Sequence, residues 1–257
     1  MAKIYSNKAI FYRLETDEAY LTDDGSIARK TRPNLAYLGD KVNPFKDTDI
    51  EEKRLKRSVS LLEKSGGPYL RQSTDKSRRR RLRTLLREVF RFDETQFSPG
   101  LRSIHRGLLT TEGRDLLKGF DFNLHSKPGA CLGKAYSLNL EKGELYLPNV
   151  SPKLLLAETT NVKKFYLCFL LSKVNFLLGQ FITVCSDVML FTANDPDQDL
   201  RLDAGQMPDC NGIYIAYLWI AFEREDACAI SKFLCHADDV FRLLVCEGDN
   251  TVNTSDI

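Results

Sequence analysis

The sequence has few of the side chains from which most catalytic and metal-binding sites are built. It contains three histidines, His105, His125 and His236, which lie far apart along the chain. Its seven cysteines all follow residue 130, and no two of them form a CxxC pair. Zinc sites and cysteine nucleophiles usually show recognisable spacings of these residues. We therefore expect a protein that is not an enzyme, with no catalytic residues, no metal site and no cofactor.

The cysteines also bear on the cellular compartment. Their number is odd and most of them lie within apolar runs, which is typical of buried, reduced thiols. The N-terminal sequence shows no uninterrupted apolar segment of the kind found in signal peptides. We expect a cytoplasmic protein without disulfide bonds.

Long apolar runs are scarce as well. Residues 165–184 alone have the length of a membrane-spanning helix, with a single charged side chain. Polar and small residues interrupt this stretch at Ser172, Lys173, Asn175, Gly179 and Gln180. Because the remainder is rich in β-branched and aromatic residues, it predicts two buried strands joined near residues 172–175. We expect no membrane span.

Two motifs are incomplete. Residues 129–134, GACLGK, resemble a phosphate-binding loop, but only three residues separate the glycines and Ala135 stands where a serine or threonine is needed. The segment CHADD at residues 235–239 has no standard zinc-ligand spacing. We interpret the first as a bend that enters a strand and the second as a turn before the last strand.

Carboxylates alternate in a loop that contains Asp195, Asp197 and Asp199, with Asp203 nearby. Alternating oxygen ligands are what a hard cation such as Ca²⁺ requires. In an EF-hand loop, however, the sixth position is glycine and the twelfth is glutamate, and here they are Leu200 and Gln206. A solvated acidic loop is the main interpretation, and Ca²⁺ binding is the alternative.

The clearest positive signal is residues 77–92, SRRRRLRTLLREVFRF. Apolar residues at helical spacing predict a buried face: Leu82, Leu85, Leu86, Val89 and Phe90. Every fourth residue from 79 to 91 is an arginine, which predicts a cationic row. Like charges at this spacing repel unless anions face them, and arginine binds carboxylate or phosphate through paired hydrogen bonds. The predicted contact residues for a polyanion or a second subunit are Arg78, Arg79, Arg80, Arg81, Arg83, Arg87 and Arg91.

The charge is unevenly distributed along the chain. Residues 1–120 hold 26 lysines and arginines against 17 acidic residues, whereas residues 121–257 hold 11 against 18. The predicted acidic counter-surface is Asp195, Asp197, Asp199 and Asp203. Opposite charges on one chain favour heterologous contacts between copies, which close into rings or continue as filaments.

The spacing of apolar residues changes from helical in the first half of the chain to alternating after residue 119, which predicts an α+β fold. Residues 1–47 read as an extended arm, 48–119 as a helical basic segment, 120–247 as an antiparallel β domain and 248–257 as a polar tail. Residues 213–222 are apolar at nearly every position, which predicts a central strand covered on both faces. Short strands separated by turn signals predict an antiparallel sandwich or barrel.

Three segments carry a resemblance to an uncharacterised bacterial protein family. They are AYLTDDGSI at residues 19–27, KTRPNLAYLG at residues 30–39 and LLKGFDFN at residues 116–123. The resemblance implies an extended N-terminal part, a helical middle, a GFDFN-like junction and a β-rich C-terminal half. It implies no activity, cofactor or functional residue.

These patterns predict a non-enzymatic, self-associating structural or scaffold protein. Assembly into a homo-oligomer or filament would use the arginine row against acidic surfaces, together with strand exchange by the N-terminal arm. The alternative is a nucleic-acid-binding protein that uses the same arginines, since each phosphate contact displaces a counterion. Against this alternative, the chain contains no recognised DNA-binding motif.

Overall fold

The computed structural model describes ten stretches of the chain: residues 3–5, 10–13, 17–21, 27–31, 44–71, 75–94, 102–124, 136–157, 162–224 and 240–247. Three predicted features lie outside them. These are the bend at residues 129–134, the turn at residues 235–239 and the polar tail at residues 248–257.

The described residues form twelve strands, six α-helices and one short 3₁₀ helix. The strands are β1 (Lys3–Tyr5), β2 (Ile10–Arg13), β3 (Asp17–Leu21), β4 (Ile27–Thr31), β5 (Ser137–Asn139), β6 (Glu144–Val150), β7 (Val162–Asn175), β8 (Gln180–Cys185), β9 (Val188–Thr192), β10 (Gln198–Asp203), β11 (Ile213–Arg224) and β12 (Val240–Glu247). The α-helices are α1 (Pro44–Ser65), α2 (Gly67–Arg71), α3 (Arg78–Val89), α4 (Ile104–Gly107), α5 (Thr111–Leu117) and α6 (Pro152–Ala157), and the 3₁₀ helix is Phe90–Phe92.

The long strand β7 organises a seven-stranded antiparallel sheet. β11 pairs with β7 along most of its length, and β12 pairs with β11. The other edge of β7 is shared, because β8 pairs with its C-terminal half and β9 with its N-terminal half. β1 pairs with β9 and β2 with β8, so two strands of the predicted N-terminal arm extend the sheet.

Both faces of β7 and β11 are buried, as predicted for residues 213–222. Successive residues of a strand point to opposite faces. Phe169 and Leu218 therefore lie in the core that faces the three-stranded sheet β10–β6–β5, whereas Leu170 and Tyr217 lie in the core that faces the helices. The α+β class is confirmed, and the helical and β segments share a core.

The turn between β7 and β8 comes later than predicted. β7 continues to Asn175, whose Oδ1 accepts hydrogen bonds from the amides of Leu177 (3.1 Å) and Leu178 (3.0 Å). Gly179 closes the turn with a φ of 71°. A side-chain acceptor and a left-handed glycine are typical of tight turns. The predicted junction at residues 172–175 is therefore wrong, because its polar side chains lie inside the strand.

The two longest helices carry the apolar face that packs on the sheet. α1 begins at Pro44, in the first turn, where proline removes no helical hydrogen bond. It ends at Ser65, two residues before Gly67, which has a φ of 64°. The side chains that α1, α3 and the 3₁₀ helix bury include Leu55, Leu62, Leu82, Leu86 and Phe90.

A buried polar network attaches the end of α1 to the sheet. The main-chain oxygen of Ser65 accepts hydrogen bonds from the hydroxyls of Ser172 (3.2 Å) and Thr183 (2.9 Å), and these two hydroxyls lie 2.8 Å apart. The Ser65 hydroxyl lies 2.8 Å from the Tyr217 hydroxyl. All four residues are fully buried. Hydrogen bonds in such a low-dielectric site hold one specific arrangement of helix and strands.

We expect Thr183→Val to lower the free energy of unfolding by about 1–2 kcal/mol. The substitution keeps the side-chain shape and removes the hydrogen bond that the Thr183 hydroxyl donates to the main-chain oxygen of Ser65. Urea denaturation measures the change. Thr84→Val is the matched control, because Thr84 is exposed on α3, and it should change stability by less than about 0.5 kcal/mol. An equal effect of both substitutions would contradict the prediction.

The segment after α5 binds the outer edge of β12. The amide of Gly119 donates to the carbonyl of Leu243 (2.8 Å), and the amide of Leu243 donates to the carbonyl of Phe120 (3.0 Å). Residues 116–123 therefore join the helical layer to the sheet through main-chain hydrogen bonds. This pairing also satisfies part of an edge that would otherwise be open to another strand.

Candidate interaction surface on the basic helix

Helices α1 and α3 lie side by side and antiparallel. Glu52, in the first half of α1, pairs with Arg87 near the end of α3 (2.9 Å). Glu63, near the end of α1, pairs with Arg78 at the start of α3 (3.0 Å). The antiparallel arrangement places the acidic residues of one helix beside the arginines of the other.

Arg78, one of the seven predicted contact residues, is part of the protein interior. Its side chain is 10% exposed. Its Nε donates to Glu63 (3.0 Å) and its Nη1 donates to the main-chain oxygen of Leu70 (3.1 Å). Arg78 therefore joins α1, α2 and α3 and is not available to a partner.

The side chain of Arg81 also binds groups within the protein. Its Nη2 donates to Asp75 Oδ2 (2.6 Å) and its Nη1 to the main-chain oxygen of Asp121 (2.9 Å). The guanidinium carbon lies 5.0 Å from the centroid of the Phe120 ring, within the range of a cation–π contact. Arg81 therefore holds α3 against the junction that follows α5.

Asp75 is the acceptor at the centre of this contact. Besides Arg81, it accepts hydrogen bonds from the amide (2.7 Å) and hydroxyl (2.7 Å) of Ser77 and from the amide of Leu124 (3.3 Å). Burial raises the pKa of this carboxyl, but the hydrogen bonds lower it more, so the pKa of Asp75 lies well below its ordinary value. The carboxylate is therefore ionised and fixed in place.

The remaining arginines of α3 share too few acidic partners. Glu63 pairs with both Arg78 and Arg79. Glu52 lies within ion-pair distance of Arg83 and Arg87 of α3 and of a lysine of α1. One carboxylate cannot neutralise two or three cations, so positive charge remains on this side of the protein.

The exposed cations form what we call the basic surface. Arg80 is exposed, and among the described residues its side chain has no ion pair or hydrogen bond. The side chains of Arg79 and Arg91 are 71% and 67% exposed. The members of the surface are Lys53, Lys56 and Arg57 of α1, with Arg79, Arg80, Arg83, Arg87 and Arg91 of α3 and the 3₁₀ helix. The sequence KRLKR at residues 53–57 indicated the α1 members, which the prediction did not include.

The predicted acidic counter-surface lies on β10 and the loop before it. Asp195 accepts hydrogen bonds from the amide (2.7 Å) and hydroxyl (3.0 Å) of Thr192. The hydrogen bond from the amide lowers the pKa of Asp195. Asp199 accepts from the hydroxyl of Tyr146 (2.6 Å), which lowers its pKa too. Asp203 accepts from the amide of Gly205 (2.7 Å), and Asp197 is exposed.

These carboxylates do not converge on a cation. Within the part of the chain that the structure describes, no three histidine, cysteine, aspartate or glutamate side chains are grouped so as to hold a metal ion. The hydrogen bonds of Asp195 and Asp199 instead shape the β9–β10 turn and bind β10 to the end of β6.

The basic surface and the acidic residues lie on opposite sides of the protein. The helices cover one face of the seven-stranded sheet, and the sheet that contains β10 covers the other. On β10, Leu200 and Leu202 point into the core whereas Asp199 and Asp203 are exposed. The two predicted charged sets therefore cannot meet within one copy of the chain.

Cys168 and Cys185, two of the candidate nucleophiles, are buried in the core between the helices and the seven-stranded sheet. Burial raises the pKa of the Cys168 thiol to about 12 and raises that of Cys185 as well, so both are protonated and unreactive. His105 in α4 is half-buried, and its pKa is lowered first by burial and then by Arg106. His125 and His236 lie outside the described residues.

None of the described helices is both long enough and apolar enough to span a bilayer. The resemblance to an uncharacterised bacterial family stays a prediction. The chain was compared with protein-family models, with curated proteins and with solved structures, and none of them matches it.

Proposed function

We propose that this chain is a non-enzymatic structural protein, built on a β-sandwich, that associates with copies of itself. The basic surface of one copy would contact the acidic β10 side of the next. The observation that supports this proposal is the placement of the two charged sets on opposite outer layers. Such a pair of surfaces makes a heterologous contact, which leaves both ends of a growing assembly free.

The N-terminal arm supplies a second contact in the proposal. β1 and β2 pair with the edge that β9 and β8 form in the same chain. The same edge would accept the arm of a neighbouring copy, which exchanges identical hydrogen bonds at little cost. We place the protein in the cytoplasm, a proposal that the buried Cys168 and Cys185 thiols, which are not in disulfide bonds, support.

Charge reversal on the basic surface tests the proposal. We expect Arg80→Glu combined with Arg91→Glu to weaken self-association at least tenfold, because like charges would then face each other. Neither side chain is buried, so the fold should be retained. Sedimentation velocity at low salt measures the association, and salt near 0.5 M should weaken it in the unmodified protein as well.

A matched control replaces two exposed lysines that lie outside the basic surface. Lys142→Glu with Lys153→Glu changes the net charge by the same amount, on the β5–β6 turn and α6. We expect this pair not to weaken association, and Asp197→Lys on the acidic side to weaken it. A protein that stays monomeric at high concentration and low salt would rule out the proposed assembly.

Nucleic-acid binding is the second candidate, and the excess of cations on the basic surface favours it. It predicts that a labelled 30-base-pair DNA binds with an affinity that falls steeply with salt, by a logarithmic slope of about 0.9 per phosphate contact. Arg80→Glu with Arg91→Glu should reduce that slope by about two. Fluorescence anisotropy over a range of salt concentrations separates this function from self-association.

A further inference from the structure

The contact between α1 and α3 gathers three cations around one carboxylate, and we call these four residues the Glu52 cluster. Glu52 Oε2 accepts a hydrogen bond from Nη2 of Arg87 (2.9 Å). Glu52 Oε1 lies 3.5 Å from Nη1 of Arg83 and 4.0 Å from Nζ of Lys56. All four side chains are partly exposed. One carboxylate balances one of the three cations, so two positive charges remain where solvent or a ligand can reach them.

The other carboxylates that the structure describes on these helices do not neutralise the cluster. Glu63 pairs with two arginines at the start of α3, and Glu88 pairs with Arg91. Glu51, which precedes Glu52 on α1, forms no ion pair with any described residue. The excess of positive charge is therefore local to the Glu52 cluster.

Arg83 has unused capacity to donate hydrogen bonds. Its guanidinium forms the ion pair with Glu52 but donates no hydrogen bond within the described part of the chain. Its Nε is buried, whereas 38% of the whole side chain is exposed. An arginine that is enclosed at the base of its guanidinium and open at the tip loses little conformational freedom when it binds an anion.

Arg80 extends the positive charge along α3. It precedes Arg83 by three residues and Arg87 by seven, and these spacings place all three on one face of the helix. The side chain of Arg80 is exposed and has no ion pair or hydrogen bond among the described residues. The cations therefore form a strip, with two unbalanced charges near Glu52 and one more a helical turn away.

This strip suits an anion that carries several charges in a small volume. A side-chain carboxylate has a single negative charge, so it would leave most of the strip unbalanced. A chain of phosphate groups carries its charges on adjacent groups, and its oxygens accept paired hydrogen bonds from arginine. An oligophosphate therefore matches the strip better than one carboxylate of a protein does.

We propose that the Glu52 cluster and Arg80 bind an oligophosphate, which is a chain of two or three phosphate groups joined by anhydride bonds. The terminal phosphate pairs with Arg83, Arg87 and Lys56, and the next phosphate reaches Arg80. These cations belong to the basic surface, so the bound anion competes with the acidic β10 side of a second copy. That competition rests on the proposed self-association, whereas the binding of the oligophosphate does not.

Calorimetric titration of the full chain with inorganic tripolyphosphate, in buffer free of divalent cations, tests the site. We expect a Kd of roughly 0.1 mM or tighter at low salt. Citrate and sulfate at the same ionic strength should each bind at least about tenfold more weakly. Adenosine triphosphate is the second arm. Equal affinity would assign recognition to the phosphate chain alone, and higher affinity would identify a nucleotide as the source of that chain.

Two neighbouring substitutions on α1 separate a local site from a general effect of positive charge. Glu52→Gln removes the carboxylate that competes for the cluster, so it should strengthen tripolyphosphate binding by about threefold or more. Glu51→Gln changes the net charge equally and should alter the affinity by less than about twofold. Arg83→Gln should weaken binding at least about tenfold. Arg201→Gln, at an exposed arginine of β10, is its control and should not weaken it.

The proposed site is overturned if tripolyphosphate binds no more tightly than citrate, or if Glu52→Gln and Glu51→Gln have equal effects. It is also overturned if Arg83→Gln, with unchanged thermal unfolding, binds tripolyphosphate as well as the unmodified protein does. Sedimentation velocity tests the competition: saturating tripolyphosphate should lower self-association more than sulfate at equal ionic strength, and an equal effect would contradict it. A chain that binds tripolyphosphate but never self-associates would support the site and rule out only the proposed assembly.

Discussion

Replacing Phe165 with alanine should lower the free energy of unfolding by about 4 kcal/mol. Phe165 is fully buried between the two sheets. Its ring stacks on Phe191 with centroids 5.0 Å apart, and the Phe222 ring lies 6.2 Å away. The substitution removes these aromatic contacts and leaves a cavity that two hydrogen-bonded sheets cannot collapse to fill. Guanidinium denaturation, followed by the fluorescence of the single tryptophan, measures the loss.

The control for Phe165 is Leu177, a large apolar residue in the β7–β8 turn that is 60% exposed. Leu177→Ala should change stability by less than about 0.5 kcal/mol. Leu82→Ala, in the core on the helical side, should cost about 3 kcal/mol. Both cores share β7 and β11, so the protein should unfold in a single cooperative transition. Phe165→Ala and Leu82→Ala should each shift that same transition. A loss below about 1 kcal/mol for Phe165→Ala would contradict the two-sheet core.

Replacing Asp75 with asparagine should lower the free energy of unfolding by about 3 kcal/mol. Asparagine keeps one acceptor oxygen, but its NH₂ group would face a donor in either orientation. In place of Oδ2 it would face Arg81 and the amide of Leu124, and in place of Oδ1 it would face the amide of Ser77. The charge of Arg81 would also lose its partner. A loss of this size corresponds to a fall in Tm of about 10 °C for a chain of this length, which calorimetry measures.

The effect of Asp75→Asn should depend on pH in a defined direction. The pKa of Asp75 in the folded protein is below the ordinary value of 3.8, so ionisation favours the folded state. The stabilisation is therefore complete above about pH 5 and is lost as the pH falls below 3.8 towards the pKa of the folded state. The difference between Asp75→Asn and the unmodified protein should shrink over that interval.

Asp197→Asn is the control, since Asp197 is an exposed carboxylate on the β9–β10 loop. It should leave Tm unchanged within about 2 °C at neutral pH. If Asp75→Asn behaved like this control, the network around Asp75 would have no structural role.

Local patterns explain why much of the fold could be predicted from the sequence. Residues 213–222 are apolar at nearly every position because both faces of β11 are covered, and the β-branched and aromatic residues in this short run favour a strand over a buried helix. The apolar spacing in α3 correctly predicted the buried positions Leu82, Leu86 and Val89. Each of these signals is contained within one element, so no knowledge of its neighbours is required.

The candidate site could be predicted only in part, because its details depend on residues far apart in the chain. Seven arginines looked equivalent in sequence, but the guanidinium of Arg81 is held within the fold by the carbonyl of Asp121 and the carboxylate of Asp75. The shared edge of β7 was not predictable either, since β8 and β9 each look like an ordinary strand. A cavity lined by Glu141, Lys173 and Tyr214 is formed by residues far apart in the chain, so the sequence did not reveal it.

Both faces of β7 are buried, and this limits which insertions and deletions the strand can accept. Phe165, Phe169 and Leu171 face one core, and Cys168 and Leu170 face the other. Deletion of a single codon within this strand would turn every later side chain to the opposite face and move Lys173 towards the helices. Removal of two codons would keep each side chain on its own face. Among related sequences, we therefore expect insertions and deletions in β7 to come in pairs of residues.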